Sequence, residues 1–286
     1  MLEKRTLDVW HLAESLIGPV LAVTHQVYGH AGLTFEIKAS SGNYILKTKS
    51  ESNAFDHTQH HIEVLNGMGV KVPTVIDRGQ FSDFDYLLLS KIHGQDLGYV
   101  LGEMTQFQMT KLAEEIVRIE QKISGLPEGE GFGWTPMKVP GPFATWNDVI
   151  VRDSRTSPDY VRDEVLKWQG YFETVRPTCF LDDLTVKNVI VLEGIFQGIV
   201  DLDNVCYGDP LYWLSLAEVT SMMDIGVHAS HYGDELRRMW QLSNEAAAIC
   251  DLYNVIQAWF FLSKEQGCNQ LAEWTDKRFE RARAYQ

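Results

Sequence analysis

The sequence predicts an α+β protein of two lobes, in which a small lobe built on an antiparallel sheet precedes a larger helical lobe. Short runs of alternating apolar and polar residues, separated by turn residues, occur mainly within the first ninety residues. After Gly94 the apolar residues recur close to the helical period of 3.6. The join at residues 90–94 is too short to be a long linker. We therefore expect an N-lobe at residues 1–90 and a C-lobe at residues 91–286.

The N-lobe pattern predicts four strands and one helix. Residues 34–39 and 44–48 alternate around turn residues 40–43, which predicts a hairpin. A helical stretch at 55–68 ends before Gly69. Two more strands are expected at 72–76 and 86–89, with a polar connection at 80–85.

The C-lobe pattern is mainly helical. Apolar residues from Met109 to Ile123 predict one helix, glycines and prolines at 125–142 indicate a long loop, and a second helix is expected around 163–174. Two short strands, 189–192 and 195–200, surround a Glu193-Gly194 turn. From Pro210 to the end the sequence predicts helices.

Composition excludes several classes of protein. The chain has 286 residues, of which 45% are hydrophobic and 22% charged, so it is long and apolar enough to bury a core. No run of about 18 apolar residues predicts a membrane span, and the N-terminal residues lack the apolar core of a signal peptide. The formal net charge is −14, mostly in residues 91–286. This balance argues against a nucleic-acid partner, and it either attracts a cationic substrate or a metal or only keeps the protein in solution.

The cysteines are widely spaced. Cys179, Cys206, Cys250 and Cys268 form no Cys-x-x-Cys motif. The spacing argues against a zinc site or a disulfide framework and fits a reducing compartment, so we expect a cytoplasmic location.

The densest cluster of acidic and amide residues lies around the predicted C-lobe hairpin. Asp183 and Asn188 precede its first strand, and Asp201 follows its second. A hairpin returns the chain to its starting level, so these side chains should converge. Their oxygens would suit Mg²⁺, and Asp183, which is slightly offset, could accept a proton from a hydroxyl group. Each residue alone also has an ordinary explanation as a turn or cap residue.

Two weaker signals lie in the N-lobe. Lys47 stands in an apolar strand, and Glu63 in the following helix is a candidate partner. Taken alone, the pattern is better explained by an edge-strand lysine that reaches solvent. Gly29 and Gly32 lie in a turn before the first clear strand, where backbone N–H groups could hold phosphate.

Taken in order, these features are the parts of a kinase: a glycine-containing turn, a strand lysine, a helix glutamate, Asp-x-x-x-x-Asn and a later Asp. From about Val27 to Leu214 the chain resembles the aminoglycoside phosphotransferase/choline kinase family, small-molecule kinases with a protein-kinase-like fold. That family usually has His-Gly-Asp-x-x-x-x-Asn, then Ile-Asp-Phe/Trp and Gly-Asp-Pro. Here the segments are Leu-Asp-Asp-Leu-Thr-Val-Lys-Asn at 181–188, Val-Asp-Leu-Asp at 200–203 and Gly-Asp-Pro at 208–210.

The resemblance implies a role for each matching residue. Asp183 would be the catalytic base or would orient the acceptor hydroxyl. Mg²⁺ would be held by Asn188 and Asp201, with Asp203 available for a second ion. ATP or GTP would lie between the lobes, with Lys47 on its α/β-phosphates, Glu63 bracing that lysine, and the hinge Ser90-Lys91-Ile92 on the base. Asp209 would brace the catalytic loop.

The chain also departs from the family pattern, because Leu181 and Asp182 replace its His and Gly. Asp182 adds a charge beside the expected base, and the neighbouring Lys187 either offsets it or points to solvent. The expected function is transfer of the γ-phosphoryl group to a hydroxyl of a small, cationic or neutral substrate, such as an aminoglycoside or an amino alcohol. The departures leave a non-catalytic nucleotide- or ligand-binding relative as the alternative.

A third hypothesis comes from residues 198–205, which also match an aspartyl-phosphatase motif, an apolar strand followed by Asp-x-Asp-x-Val. That motif normally opens its fold. Here too little chain follows it to complete a doubly wound core.

Overall fold

A computed structural model describes residues 2–26, 32–264 and 269–285, with the backbone alone at Asn269. The chain divides into two compact units, Met1–His93 and Gly94–Gln286. The first holds an antiparallel sheet and the second is mainly helical, which confirms the α+β class.

The first unit is built on a five-stranded antiparallel sheet in the order β1-β2-β3-β5-β4. One helix precedes the sheet and one lies between its third and fourth strands. The elements are α1 (Leu2–Ile17), β1 (Val20–Gln26), β2 (Leu33–Ala39), β3 (Gly42–Lys49), α2 (Asp56–Gly67), β4 (Val75–Phe81) and β5 (Phe84–Ser90).

Helix α1 is absent from the prediction. Its buried residues are only Val9, Leu12 and Ala13, and charged residues around them hide the helical period. The three pack against the apolar face of the sheet, which includes Phe35 and Leu46. The helix therefore depends on a tertiary contact that local sequence does not reveal.

Strand β4 begins and ends later than expected. The predicted polar connection at 80–85 is the tight turn between β4 and β5, where Ser82 takes a left-handed φ of 56° and Phe81 pairs with Phe84. Strand β4 lies at the edge of the sheet and has no fully buried residue. Polar residues are therefore tolerated along it, and they made this strand resemble a loop.

The second unit contains most of the helices. Helix α4 begins with a capping box formed by Thr105 and Gln108, and it confirms the predicted helix at 109–123. The helices are α3 (Leu97–Val100), α4 (Gln106–Ile123), α5 (Trp146–Asp153), α6 (Asp159–Lys167), α7 (Gln169–Phe172), α8 (Leu211–Asp224), α9 (Ser230–Trp240), α10 (Asn244–Leu262) and α11 (Asn269–Arg283).

Two small sheets complete the second unit. One has the order β10-β9-β6 and the other β7-β11-β8. Four of these strands, β6, β7, β8 and β11, have at most four residues and were not predicted. The strands are β6 (Gln95–Asp96), β7 (Gly133–Thr135), β8 (Thr178–Phe180), β9 (Val189–Leu192), β10 (Ile195–Ile199) and β11 (Val205–Gly208).

A buried ionic network joins four of the C-terminal helices. Arg237 of α9 and Arg278 of α11 both contact Glu218 of α8 and Asp251 of α10, at N–O distances of 2.7 to 3.1 Å. All four side chains are largely buried, so removing one partner would leave an uncompensated charge. No helix in the described part of the chain is both long and apolar enough to cross a membrane.

Candidate active site

The loop at residues 181–188 is held by the hairpin that follows it. Strands β9 and β10 pair antiparallel, with Val189 opposite Ile199, and the Val200 N–H donates to the Asn188 carbonyl at 2.9 Å. The turn residues Glu193 and Gly194 both have left-handed φ angles, 53° and 75°, as a two-residue hairpin turn requires. The predicted hairpin is confirmed, and Asn188 and Asp201 lie at the same end of it.

Asp201 leaves the hairpin with a left-handed backbone. Its φ is 64°, a region that Asp and Asn adopt more readily than other non-glycine residues. The chain thereby turns away from strand β10, Leu202 enters the core, and Asp203 lies half-buried at the approach to β11. The left-handed residue fixes the direction in which the Asp201 side chain leaves the hairpin.

Asp183 lies close enough to Asp201 for the two charges to interact. The pKa of Asp183 is raised to about 6, first because surrounding protein removes water from its carboxyl group and then because Asp201 repels its charge. Hydrogen bonds from Asn188 and Thr185 and the charge of Lys187 act in the opposite direction. The Thr185 hydroxyl is 3.5 Å from Asp183 Oδ1. The charge state of Asp183 therefore depends on the charge of Asp201.

Asn188 has a defined orientation in this group. Its Nδ2 donates to the backbone carbonyl of Asp183 at 2.8 Å, which leaves the side-chain oxygen as the atom for coordination. Lys187 next to it forms an ion pair with Asp224 at the end of α8, at 3.3 Å. Of the two alternatives that the sequence left open, the structure supports solvent exposure: the Lys187 side chain is mostly exposed, although its charge also lowers the pKa of Asp183.

The donors at this site suit a magnesium ion. Carboxylate and amide oxygens are hard ligands, and Mg²⁺ usually takes one or two protein carboxylates and completes its shell with water and phosphate. Within residues 2–26, 32–264 and 269–285, no three His, Cys, Asp or Glu side chains converge as a metal cage. The donors present therefore suit an ion that binds together with a nucleotide more than an ion held by protein ligands alone.

The two residues before Asp183 are held by side chains from other elements. The buried carboxyl of Glu120 in α4 accepts the Leu181 N–H, at 3.2 and 3.3 Å from its two oxygens. The indole N–H of Trp134 in β7 donates to Asp182. Burial raises the pKa of Glu120 well above its usual range, although the Leu181 N–H opposes this shift.

Asp209 lies two residues before the first residue of helix α8. Its carboxylate accepts hydrogen bonds from Tyr171, Tyr253 and the Leu211 N–H, at 2.9 to 3.0 Å. Helix α8 also contacts the catalytic loop, because the Trp213 indole N–H donates to the Leu184 carbonyl at 3.2 Å. The loop is therefore bonded to α8 through Trp213, whereas Asp209 secures the beginning of that helix.

The residues expected to bind nucleotide lie in the first unit. Lys47 is half-buried in β3, between Thr34 of β2 and Leu87 of β5. Glu63 lies on the exposed side of α2, where it accepts a hydrogen bond from Gln59 at 2.7 Å. The buried residues of α2 are Thr58, His61, Ile62 and Leu65. Bracing of Lys47 by Glu63 stays a prediction.

The glycine turn is only partly within the described residues. Gly29 lies outside them. Gly32 has a φ of 154°, and a Cβ there would come within 2.5 Å of the Thr48 carbonyl oxygen, so this position requires glycine for close strand packing.

The hinge residues Ser90 and Lys91 are bonded within the first unit. The N–H of Ser90 donates to Thr74 and that of Lys91 to Asn43, at 2.9 and 3.1 Å. The Lys91 ammonium pairs with Glu36 at 2.6 Å. Both N–H groups are therefore used within the first unit, and contact of the hinge residues with a nucleotide base stays a prediction.

Comparison with known proteins gives the family. Residues 28–259 match the model of the phosphotransferase enzyme family. The chain belongs to this family. A Staphylococcus aureus relative, described as an uncharacterized protein in the ileS 3′ region, is 32% identical over 66 residues; this segment covers 22% of the chain and half the length of that relative.

Solved structures show the fold of this phosphotransferase family member. A ternary complex of a thermostable mutant of aminoglycoside phosphotransferase APH(4)-Ia with AMP-PNP and hygromycin B matches with a TM-score of 0.69 and 16% identity, covering 97% of both chains. A fructosamine-3-kinase homologue from Haemophilus somnus 129PT matches at 0.63 and 11% identity, covering 98% of this chain and 99% of the other. ADP-bound APH(2'')-Ib matches at 0.61 and 13%, covering 96% and 97%. The kinase-like fold is confirmed.

Sequence reasoning missed two residues that hold the catalytic loop of this phosphotransferase. Glu120 lies on the buried face of an amphipathic helix, where a glutamate is unusual, and that contrast was the one available signal. Trp134 lies in the segment predicted as a long loop, and nothing in its local sequence indicates a partner 48 residues away.

Proposed function

We propose that this protein is an active small-molecule kinase that transfers the γ-phosphoryl group of ATP to a hydroxyl group of its substrate. The observation that supports this most directly is the grouping of Asp183, Asn188 and Asp201 at one end of the β9–β10 hairpin. These residue types match the catalytic and metal-binding positions of kinases.

Asp183 would act on the acceptor. Its carboxylate would accept a hydrogen bond from the substrate hydroxyl and orient the oxygen toward the γ-phosphorus. The O–H bond then breaks as the new O–P bond forms, Asp183 takes the proton, and ADP leaves with the electrons of the broken P–O bond.

The remaining site residues would bind the nucleotide. We propose Asn188 and Asp201 as the ligands of Mg²⁺, with Asp203 for a second ion. When bound, the ion would neutralise phosphate charge and align the phosphoryl group. Lys47 would contact the α/β-phosphates, and the turn that contains Gly29 and Gly32 would lie near the phosphates. Ile92, in the hinge with Ser90 and Lys91, would donate to the base.

The substrate class we propose is a hydroxylated amine, such as an amino sugar or an amino alcohol. The excess of acidic residues in the second unit favours a cation. Two of the similar structures are named for compounds of this class: one is a complex with hygromycin B, and another is a fructosamine-3-kinase homologue.

We propose ATP rather than GTP as the phosphoryl donor because the complex with hygromycin B contains AMP-PNP, an ATP analogue. The cytoplasmic location expected from the cysteines is proposed with it, and Cys179, Cys206 and Cys250 are free and buried.

A second candidate function is nucleotide or ligand binding without catalysis. The observation that favours it is the change of His-Gly to Leu181-Asp182, which places a second carboxyl group beside the base. The bonds from Glu120 and Trp134 favour catalysis, because they hold this altered loop by other means.

One experiment separates the two functions. The purified protein is incubated with Mg²⁺, ATP or GTP and a panel of aminoglycosides, amino sugars, amino alcohols and simple sugars, and nucleoside diphosphate release is measured. Asp183→Asn is the matched inactive control, and it identifies background hydrolysis. Release that requires both an acceptor and Asp183 supports the kinase, whereas nucleotide binding without release for every acceptor supports the non-catalytic relative.

A further inference from the structure

Asp182 occupies an unusual environment for a carboxyl group. One of its oxygens accepts the indole N–H of Trp134. The other is buried and has no hydrogen-bond partner among the residues that the structure describes. A buried polar atom without a partner costs stability. Such a carboxyl group beside the proposed catalytic base therefore calls for a functional explanation.

Trp134 is held in position to make this bond. Its backbone in β7 pairs with Cys206 of β11. The Arg152 guanidinium lies over its ring at 4.4 Å, and the ring of Tyr212 approaches it edge-on with centroids 6.0 Å apart. The indole donor is thus fixed from three directions and can itself fix the Asp182 side chain.

The groups around Asp182 are mostly acidic or neutral. Glu120 faces it from α4, Asp153 and Arg152 from α5, Cys206 from β11, Tyr212 from α8, and Asp183 from its own loop. Arg152 is the single cation among these interacting groups, and it is already paired with Asp153. Desolvation, opposed by the Trp134 bond and reinforced by Asp183 and Asp153, raises the pKa of Asp182 to about 7.

We propose that Asp182 is a positioning residue for phosphotransfer: its carboxylate, bonded to the Trp134 indole N–H, fixes the backbone immediately before Asp183. This inference rests on the proposed kinase function. The charged form of Asp182 is the active one, because an ionised acceptor forms the stronger hydrogen bond with the indole N–H.

The sign of the pH dependence follows from the raised pKa. Below about pH 7 Asp182 is protonated, and its hydrogen bond to Trp134 is weaker. Turnover should therefore rise with pH through about 7. The indole N–H favours the charged form, so removing this donor should move the rise to higher pH.

The kinetic test uses the full chain with saturating ATP and an acceptor. Asp182→Asn keeps the shape of the side chain but cannot ionise. We expect kcat at pH 8 to fall about tenfold, KM for ATP to change less than about twofold, and the midpoint of the rise with pH to move from near 7 down toward the ionisation of Asp183 near 6. In Trp134→Phe the rise should shift upward in pH. Trp168→Phe is the matched control, because the Trp168 indole N–H has no partner among the described residues and its loss should leave the profile unchanged.

A spectroscopic test does not need turnover. The indole ¹H–¹⁵N resonance of Trp134, assigned by its loss in Trp134→Phe, should move with pH around a midpoint near 7, and this movement should be absent in Asp182→Asn.

If no acceptor is phosphorylated but the resonance titrates, the proposed function fails while the Asp182–Trp134 link stands. A resonance that does not move between pH 5.5 and 8.5, or an Asp182→Asn enzyme that keeps the wild-type pH profile, overturns the positioning role. A lower melting temperature with unchanged kcat would show a purely structural residue and would also overturn it.

Discussion

The carboxyl group of Glu120 in α4 accepts the backbone N–H of Leu181, 61 residues later in the chain, at 3.2 and 3.3 Å from its two oxygens. Both partners are buried. This bond connects a helix of the second unit to the first residue of the catalytic loop, at the position where the family usually has His. Glu120 therefore holds the loop at residues 181–188, in which Leu181 stands in place of the usual His of the family.

We predict that Glu120→Ala lowers both stability and turnover. The substitution leaves the Leu181 N–H buried without an acceptor and opens a cavity, so the free energy of unfolding should fall by about 2–4 kcal/mol and turnover should fall with it. Glu120→Gln keeps an acceptor oxygen and should lose less of both. Urea unfolding and steady-state kinetics are the measurements.

Glu114→Ala is the control for Glu120, because Glu114 lies on the exposed side of the same helix, where it forms a surface ion pair with Lys111 at 2.8 Å. It should change the unfolding free energy by less than about 1 kcal/mol. Equal effects at the two positions would contradict the importance of the Leu181 bond.

Asp183→Asn should abolish phosphotransfer and leave nucleotide binding largely intact. The amide cannot accept the hydroxyl proton, whereas the proposed nucleotide contacts come from other residues. Turnover and nucleotide affinity are measured on the same preparation. Asp163→Asn, at an exposed position in α6, is the control for a general effect of an acid-to-amide change. Unchanged turnover in Asp183→Asn would remove this residue from the mechanism.

Asp201→Ala should weaken Mg²⁺-dependent nucleotide binding more than Asp203→Ala. Asp201 directly follows the β9–β10 hairpin, and its left-handed backbone fixes its direction, whereas Asp203 lies two residues further along the chain. Calorimetry with and without Mg²⁺ gives both affinities, and the difference should vanish in EDTA. If Asp203→Ala is the more damaging, the alignment of this segment with the kinase metal motif must be shifted by two residues.

Lys47→Met should weaken ATP binding by about tenfold or more, because it removes the cation proposed for the α/β-phosphates. Glu63→Gln tests the brace separately. Since Glu63 lies on the exposed side of α2 and bonds to Gln59, we expect its loss to change ATP affinity by less than about twofold. Fluorescence titration with a nucleotide analogue measures both, with Lys38→Met in the neighbouring strand as the control. A large loss in Glu63→Gln would establish the brace.

Local sequence was sufficient for the elements whose pattern is set by short-range chemistry. The β9–β10 hairpin follows from two apolar runs and a Glu-Gly turn, and helix α4 follows from its apolar period. The grouping of Asn188 with Asp201 follows from the hairpin alone, because an antiparallel turn must bring its two ends together. Helix α1 and the short strands β7, β8 and β11 could not be recognised in this way, since each is stabilised by neighbours distant in sequence.

The sequence by itself determined the α+β class, the hairpin and the family resemblance, because turn residues, periodicity and the Asp-x-x-x-x-Asn spacing are local properties. Tertiary structure alone decided what holds the catalytic loop. Glu120 and Trp134 reach Leu181 and Asp182 across 61 and 48 residues, and such contacts depend on the packing of helix α4 and strand β7 against the loop. It also decided the state of Asp182, because the proton affinity of a carboxyl group depends on the water and charges that folding removes or brings near.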